Sequence, residues 1–335
     1  MELWIEMKAS VLICTHNRAS FLKDLLTCLK DQSYSSCDYE LIVVDNASED
    51  QTEFVVRDIA KEMKNLSYVC EPKLGLSAAR NTGIQNTRGD IIAFLDDDSL
   101  PESTWLETLI RSFEEFSPAP VCVGGKILPI WEVSKPDWLP NDSRLQILSL
   151  LDWGDFPTWR SSPSLFAGNL AIKKSALHRI GGFNTQLGRK GDMLFSMEEI
   201  FFLFMVLQEY GKQSLLYQPK ALVYHRITEE KIADKGYILR RSYWDGYSKA
   251  IMKIAISRMD FKEKRNASWL QLAEYGKLGS LAESVKKLIF STILGILSVV
   301  NGDRKLVTES ILNMAFGMGG VIGLSKHVLF GSINE

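Results

Sequence analysis

The chain has 335 residues, 46% of them hydrophobic and 24% charged, with a formal net charge of −2. Those values exclude a disordered, collagenous or disulfide-scaffold protein, and the near-zero balance offers no bulk basic charge for nucleic acid. The length suggests about two domains, and the charge is unevenly shared: residues 1–235 carry 25 Lys/Arg against 33 Asp/Glu, residues 236–335 carry 14 against 8.

The N-terminus has no long apolar run, because Glu2, Glu6 and Lys8 interrupt it, so no signal peptide is expected. Short apolar runs then recur: Val11–Cys14, Leu41–Val44, Leu66–Cys70 and Ile91–Leu95. Runs of this length read as strands buried on both faces. Between them lie helical stripes, first Phe21, Leu22, Leu25, Leu26 and Leu29, later Trp105, Leu106, Leu109, Ile110 and Phe113 behind Pro101. Strand, helix and strand at about thirty-residue spacing predict βαβ units and a mostly parallel sheet. Ligands on such sheets bind beyond the carboxyl ends of the strands.

The polar residues at those ends are the candidate site. Cys14-Thr15-His16-Asn17-Arg18 follows the first strand and Asp45-Asn46-Ala47-Ser48-Glu49-Asp50 the second. Each segment alone fits a helix cap; their shared position at one end of adjacent strands favours a ligand edge, with Thr15, Asn17, Arg18 and Asp45 as contacts. Lys73-Leu-Gly75-Leu-Ser77-Ala-Ala-Arg80-Asn81 comes next. Its small residues let a helix begin close to a ligand, and Arg80 can face phosphates.

The strongest local signal is Asp96-Asp97-Asp98, directly after a buried strand. Three adjacent carboxylates repel one another, and a hard cation such as Mg²⁺ or Mn²⁺, shared with a diphosphate, would relieve that. Phe166-Ala-Gly168-Asn169 and Gly181-Gly182-Phe183-Asn184 follow, then Ser196-Met197-Glu198-Glu199 opening an apolar helix. Glu198 and Glu199 suit a helix dipole, or one of them serves as a general base. His225 closes a probable strand, either as a structural residue or as a metal or phosphate contact.

From about residue 236 the pattern turns basic and helical, with Arg240, Arg241, Lys249, Lys253, Arg258, Lys262, Lys264 and Arg265. Two apolar segments follow, Leu288–Val300 and Ile311–Leu324, of 13 and 14 residues. A spanning helix needs about 20. They read as buried core helices or as helices lying in the plane of a membrane surface, and Lys286-Lys287 leans toward the second. The five cysteines, Cys14, Cys28, Cys37, Cys70 and Cys122, are odd in number and show no CxxC spacing, which suggests reduced thiols in a cytosolic protein.

Taken in order, ICTHNR, VVDNASEDQT, GLSAARNTGI, FLDDDS, FAGNLAI, GGFN and MEEIFF resemble the motifs of family 2 glycosyltransferases across about residues 9–226. The resemblance implies a GT-A fold: an α/β, Rossmann-like sheet with flanking helices, here over residues 1–235, plus a helical C-terminal extension over 236–335. It implies a nucleotide-sugar donor of the UDP or GDP type, Mg²⁺ or Mn²⁺, and inversion at the anomeric carbon. Carried over by position, Thr15 and Asp45 resemble nucleotide contacts and Arg80 a residue lining base and diphosphate. Asp96 and Asp98 match the ends of the Asp-x-Asp motif. Apart from the resemblance, Asp97 between them is expected on the donor side, and His225 at its strand end is expected as a third metal ligand. Gly168 and Asn169 resemble the sugar-side loop. Glu199 stands where the family usually has the aspartate of a Glu-Asp pair, the acceptor base, so the carboxylate is kept on a longer arm beside Glu198.

The basic segment with Arg240, Arg241 and Trp244-Asp-Gly246 resembles a subgroup that builds extracellular polysaccharides, including hormogonium-polysaccharide enzymes. The expected acceptor is a glycan or lipid-linked glycan, the expected location the cytoplasm with peripheral attachment to the inner face of the plasma membrane. A nucleotidyltransferase would want glycines after the first strand, which Thr15–Arg18 lacks, and a dehydrogenase would want GxGxxG there. A degenerate nucleotide-sugar-binding subunit remains the non-enzyme alternative.

Overall fold

The computed structural model describes residues 7–137, 139, 143–233 and 235–257, and in the tail 285, 288–289, 310–311 and 313–322. The chain divides into two compact units: Met1–Ile130, Ser149–Gln186 and Glu198–Arg226 form the first, and Trp131–Leu148, Leu187–Met197 and Ile227–Glu335 the second.

In the first unit the expected strands form. β1 (Ala9–Thr15), β2 (Tyr39–Asp45), β3 (Leu66–Cys70) and β4 (Ile91–Asp96) lie parallel in the order β3-β2-β1-β4. β1 and β2 are apolar along almost their whole length because helices cover both sheet faces. The intervening helices are α1 (Ala19–Leu29), α2 (Thr52–Ile59) and α3 (Leu76–Asn86). α1 buries Leu22, Leu25, Leu26 and Leu29, the stripe its spacing predicts; each buried leucine contributes about 1.5–3 kcal/mol relative to exposure.

Register then sets the site. Thr15 pairs with Asp45, and Cys14 with Asp96, so the polar residues after β1, β2 and β4 share one edge. The strand order reverses at β1, with β2 on one side and β4 on the other. That is the switch point where open α/β sheets bind ligands.

Beyond β4 the sheet is antiparallel rather than parallel. β5 (Ser99–Pro101) is followed by α4 (Trp105–Glu115), β6 (Cys122–Trp131), β7 (Thr158–Arg160), β8 (Asn169–Lys173), α5 (Lys174–Ile180), α6 (Glu198–Tyr210) and β9 (Leu215–Ile227). β8 returns antiparallel to β4, with Leu95 opposite Asn169, and β5 pairs antiparallel with β9, with Ser99 opposite His225. These reversals bring the FAGN and His225 segments back to the edge that β1 and β4 define. Among the described residues the sheet has nine strands.

At the far edge of the same sheet, Glu40 is buried. Its carboxylate accepts from Ser10 Oγ at 2.7 Å and from the backbone N–H and Nε of Arg88.

The second unit contains α7 (Glu229–Ala233) and α8 (Lys235–Ser257). Residues 313–322 are helical and cross α8 backbone to backbone: a Cβ on Gly246 would lie 1.9 Å from the Phe316 carbonyl oxygen, and one on Gly319 1.8 Å from that of Tyr243. Lys249 lies over the Phe316 ring. Part of the apolar segment Ile311–Leu324 thus packs against a neighbouring helix. Leu288–Val300, apart from Leu288 and Ile289, lies outside the described residues, as do Arg258, Lys262, Lys264, Arg265, Lys286 and Lys287. Among the described residues no helix is long and apolar enough to cross a membrane.

Replacing Glu40 by alanine removes the shared acceptor of Ser10 and the Arg88 backbone, and should lower stability by about 2 kcal/mol. Denaturant titration with an unchanged slope would show this; an unshifted midpoint would contradict the account.

Candidate active site

The loop after β1 is shaped by its own polar residues. Asn17 has a left-handed backbone, φ 53°, which asparagine tolerates better than most residues. Its N–H donates to Ser48 Oγ at 2.8 Å, and its Oδ1 accepts from the Glu49 N–H at 2.7 Å. Asp50 accepts from the first N–H of both α1 and α2, at Ala19 and Thr52. The loops after β1 and β2 therefore brace each other. Asn17 is part of that brace, and capping accounts for much of the DNASED motif.

This brace aims Arg18 at the acidic end of β4. Its guanidinium donates to Asp98 Oδ2 at 2.7 Å and to Asp97 Oδ1 at 3.1 Å. Thr15 Oγ1 donates to Asp97 Oδ2 at 2.8 Å. His225 Nδ1 lies 3.1 Å from Asp98 Oδ1, delivered there by the pairing of β5 with β9. Burial pushes the Asp97 carboxyl well above the usual range; Arg18 pulls it down and Asp98 adds to the rise. The Arg18 guanidinium is held even more firmly charged, chiefly by Asp97.

Asp96 is the most open of the three, its side chain 33% exposed. A Cβ on Gly168 would stand 2.6 Å from Asp96 Oδ2, so only glycine lets the FAGN loop pass so close to that carboxylate. One ligand atom each from Asp96, Asp98 and His225 lie within 4.8 Å of one another. Two ligands at about 2.1 Å from a divalent ion are up to about 4.2 Å apart, so a small adjustment suffices. Two carboxylates and an imidazole suit such an ion.

Arg80 is buried in α3. It donates to Glu198 Oε1 at 2.6 Å, lies 3.7 Å from Asp96 Oδ1, and covers the Phe183 ring at 5.4 Å. Glu198 and Asp96 hold it charged against its burial. Glu198 is thus tied into an ion pair, while Glu199 follows it in the first turn of α6, half-buried. Cys14 faces the same carboxylates; burial pushes its thiol up to about 12, which makes it a poor nucleophile at neutral pH. All five cysteines are free thiols.

Asp45 ends β2, accepting from the Ser48 N–H at 2.9 Å and from Tyr68 OH at 2.8 Å. Asn169 plays another part. Its Oδ1 accepts from Trp105 Nε1, and its Nδ2 donates to the Lys126 and Ala221 carbonyls. Fully buried, its amide ties α4, β6 and β9 together.

Two contributors escaped the sequence reading. Asn81 clamps the GGFN loop, donating to the Phe183 carbonyl and accepting from its N–H, each at 2.8 Å. Tyr68 fixes Asp45. Asn81 lies inside a motif already singled out; nothing in the alternation of β3 marks Tyr68.

A family model described as Glycosyl transferase family 2 matches residues 10–185. The chain belongs to that family. It is a glycosyltransferase, and its fold is that of GT-A enzymes. Over 320 residues, 95% of this chain and 96% of the relative, it is 25% identical to the glucosyl-dolichyl phosphate glucuronosyltransferase of Haloferax volcanii. Over 186 residues it is 40% identical to glycosyltransferase AglE of the same organism, covering 55% of this chain and 58% of that one. The solved mannosyltransferase PcManGT from Pyrobaculum calidifontis, in complex with GDP-Man and Mn²⁺, superposes with a TM-score of 0.64 at 18% identity, covering 97% of this chain and 88% of that one.

Asn169→Ala leaves the Trp105 N–H and two carbonyls without their partner and should cost about 3 kcal/mol. The same denaturant titration reads it. A variant as stable as the parent would mean the buried amide is not the tie that the geometry indicates.

Proposed function

We propose that this glycosyltransferase moves a sugar from a nucleoside-diphosphate sugar to a hydroxyl of a lipid-linked glycan, with inversion, using a divalent ion held by Asp96, Asp98 and His225. The observation that carries the reading is the convergence of those three ligands at the switch point. Charge supports it: the carboxyl groups of Asp96, Asp97, Asp98 and Glu198 outnumber the guanidinium groups of Arg18 and Arg80 that they pair with, which leaves acidic character for a cation to meet. The GDP-Man and Mn²⁺ of the structural neighbour agree with it, and the imidazole ligand favours Mn²⁺ over Mg²⁺. The dolichyl phosphate in the relative's name supports a lipid-linked acceptor.

In this reading Asp45 and Thr15 border the nucleotide, and Arg80 faces the diphosphate side of Asp96. Glu199 removes the acceptor hydroxyl proton as that oxygen bonds to the anomeric carbon. The carbon–phosphate oxygen bond breaks on the opposite face, and its electron pair leaves on the nucleoside diphosphate. A divalent ion held by Asp96, Asp98 and His225 would supply positive charge to that leaving group. Glu198 stays with Arg80, because moving a buried carboxylate off its partner is costly; that supports Glu199 as the base. The basic character of residues 236–335 supports peripheral attachment to an anionic cytoplasmic membrane face, each Lys or Arg near such a surface contributing about 1 kcal/mol.

Asp98→Ala should abolish Mn²⁺-dependent donor binding in calorimetry while the fold persists; undiminished metal-dependent affinity would remove the metal assignment. Glu199→Gln should keep donor binding and lose about 10²–10⁴ in transfer rate. Normal turnover in Glu199→Gln, with loss in Glu198→Gln, would move the base to Glu198. Flotation of the full chain with anionic vesicles, weakened by salt, tests attachment; protein that stays at the bottom of the gradient would refute it.

A further inference from the structure

The acid cluster at the end of β4 has a cation already built into it. Asp97 and Asp98 are almost entirely buried, with side chains 9% and 6% exposed, and both bind the same Arg18 guanidinium nitrogen. Arg18 in turn is held from behind. Its guanidinium lies 5.7 Å from the centre of the Phe21 ring, and that of Arg226 lies 5.0 Å from the same ring. Arg226 is itself fixed by its ion pair with Asp24 at 2.6 Å and by its N–H on the Asp98 carbonyl at 3.0 Å. The left-handed turn at Asn17 sets the direction from which Arg18 approaches. These contacts aim Arg18 Nη1 at the two carboxylates, while its side chain stays 31% exposed.

We infer that Arg18 is the resident counter-ion of this cluster: it offsets the repulsion between the buried carboxyl groups of Asp97 and Asp98 without a metal, and it opposes the divalent ion that Asp96, Asp98 and His225 would hold. This rests on the metal assignment proposed above. Two buried carboxylates on adjacent residues are not stable without nearby positive charge. Arg18 meets that need permanently, so folding does not wait for a metal. The same positive charge, 2.7 Å from one oxygen of Asp98, repels an ion bound at the other. Metal occupancy is thereby weakened until a diphosphate adds further negative charge, which couples the ion's arrival and departure to the nucleotide.

The test uses Arg18→Met, whose unbranched chain still covers Phe21, and Arg18→Lys, which keeps the charge but not the planar fork. Mn²⁺ alone is the probe. In chelator, Arg18→Met should melt about 5 °C below the parent, and Arg18→Lys between the two. In calorimetry without nucleotide, Arg18→Met should bind Mn²⁺ about tenfold more tightly than the parent, and Mn²⁺ should raise its melting temperature by more. Should Arg18→Met be too unstable to purify, Arg18→Lys read against the parent in both measurements decides the matter: it must be less stable in chelator and bind the ion at least as tightly. Equal melting in chelator, or weaker Mn²⁺ binding in the variant, overturns the inference alone. A parent protein that binds no Mn²⁺ with or without nucleotide overturns the metal assignment and this inference together.

Discussion

Three consecutive carboxylates stand at the end of a buried strand, and their mutual repulsion has to be offset for the first unit to fold as it does. The offset comes from several elements at once. The β1 loop supplies Arg18 and Thr15, α3 supplies Arg80, and β9 supplies His225. Each must reach the same point, which explains features with no other evident purpose: a non-glycine left-handed turn at Asn17, a short β5 that recruits β9, and a glycine at 168 where the chain passes Asp96. The chemistry of the site and the stability of the unit therefore rest on the same interactions.

Arg80 and Glu198 extend this outward. A buried guanidinium sits between a carboxylate of the Asp-rich strand end and one at the start of α6, with the Phe183 ring as its floor. Asn81, next to Arg80 on α3, holds the backbone of Phe183 by two hydrogen bonds. Two adjacent residues of one helix thus fix both the electrostatic and the steric surroundings of the α6 carboxylates.

Much of this was legible from the chain. The short apolar runs gave the four parallel strands because a strand covered on both faces can hold little else, and the DDD run stood out because its cost demands a reason. The antiparallel half of the sheet was less visible. β5 has only three residues, too few for periodicity, and the return of β8 beside β4 is decided by tertiary pairing. Side-chain roles were harder still. Asn169 lies in a motif that points to ligand contact, yet its buried amide bonds Trp105, Lys126 and Ala221, far apart in sequence, which no local pattern records. Arg18 reads from the chain as one contact of the ligand edge, but a cation at a strand end says nothing about which anions will be brought to it.

The tie made by Asn169 also limits how this enzyme can diversify. Its amide holds α4, β6 and β9, and the glycine before it approaches Asp96, so the last two residues of the FAGN loop are committed to the framework. In the stretch ahead of them Arg160, Ser162 and Ser164 bond to one another, and Trp153 Nε1 donates to the Ser164 carbonyl. A side-chain exchange there leaves the Asn169 tie, and the core it holds, in place.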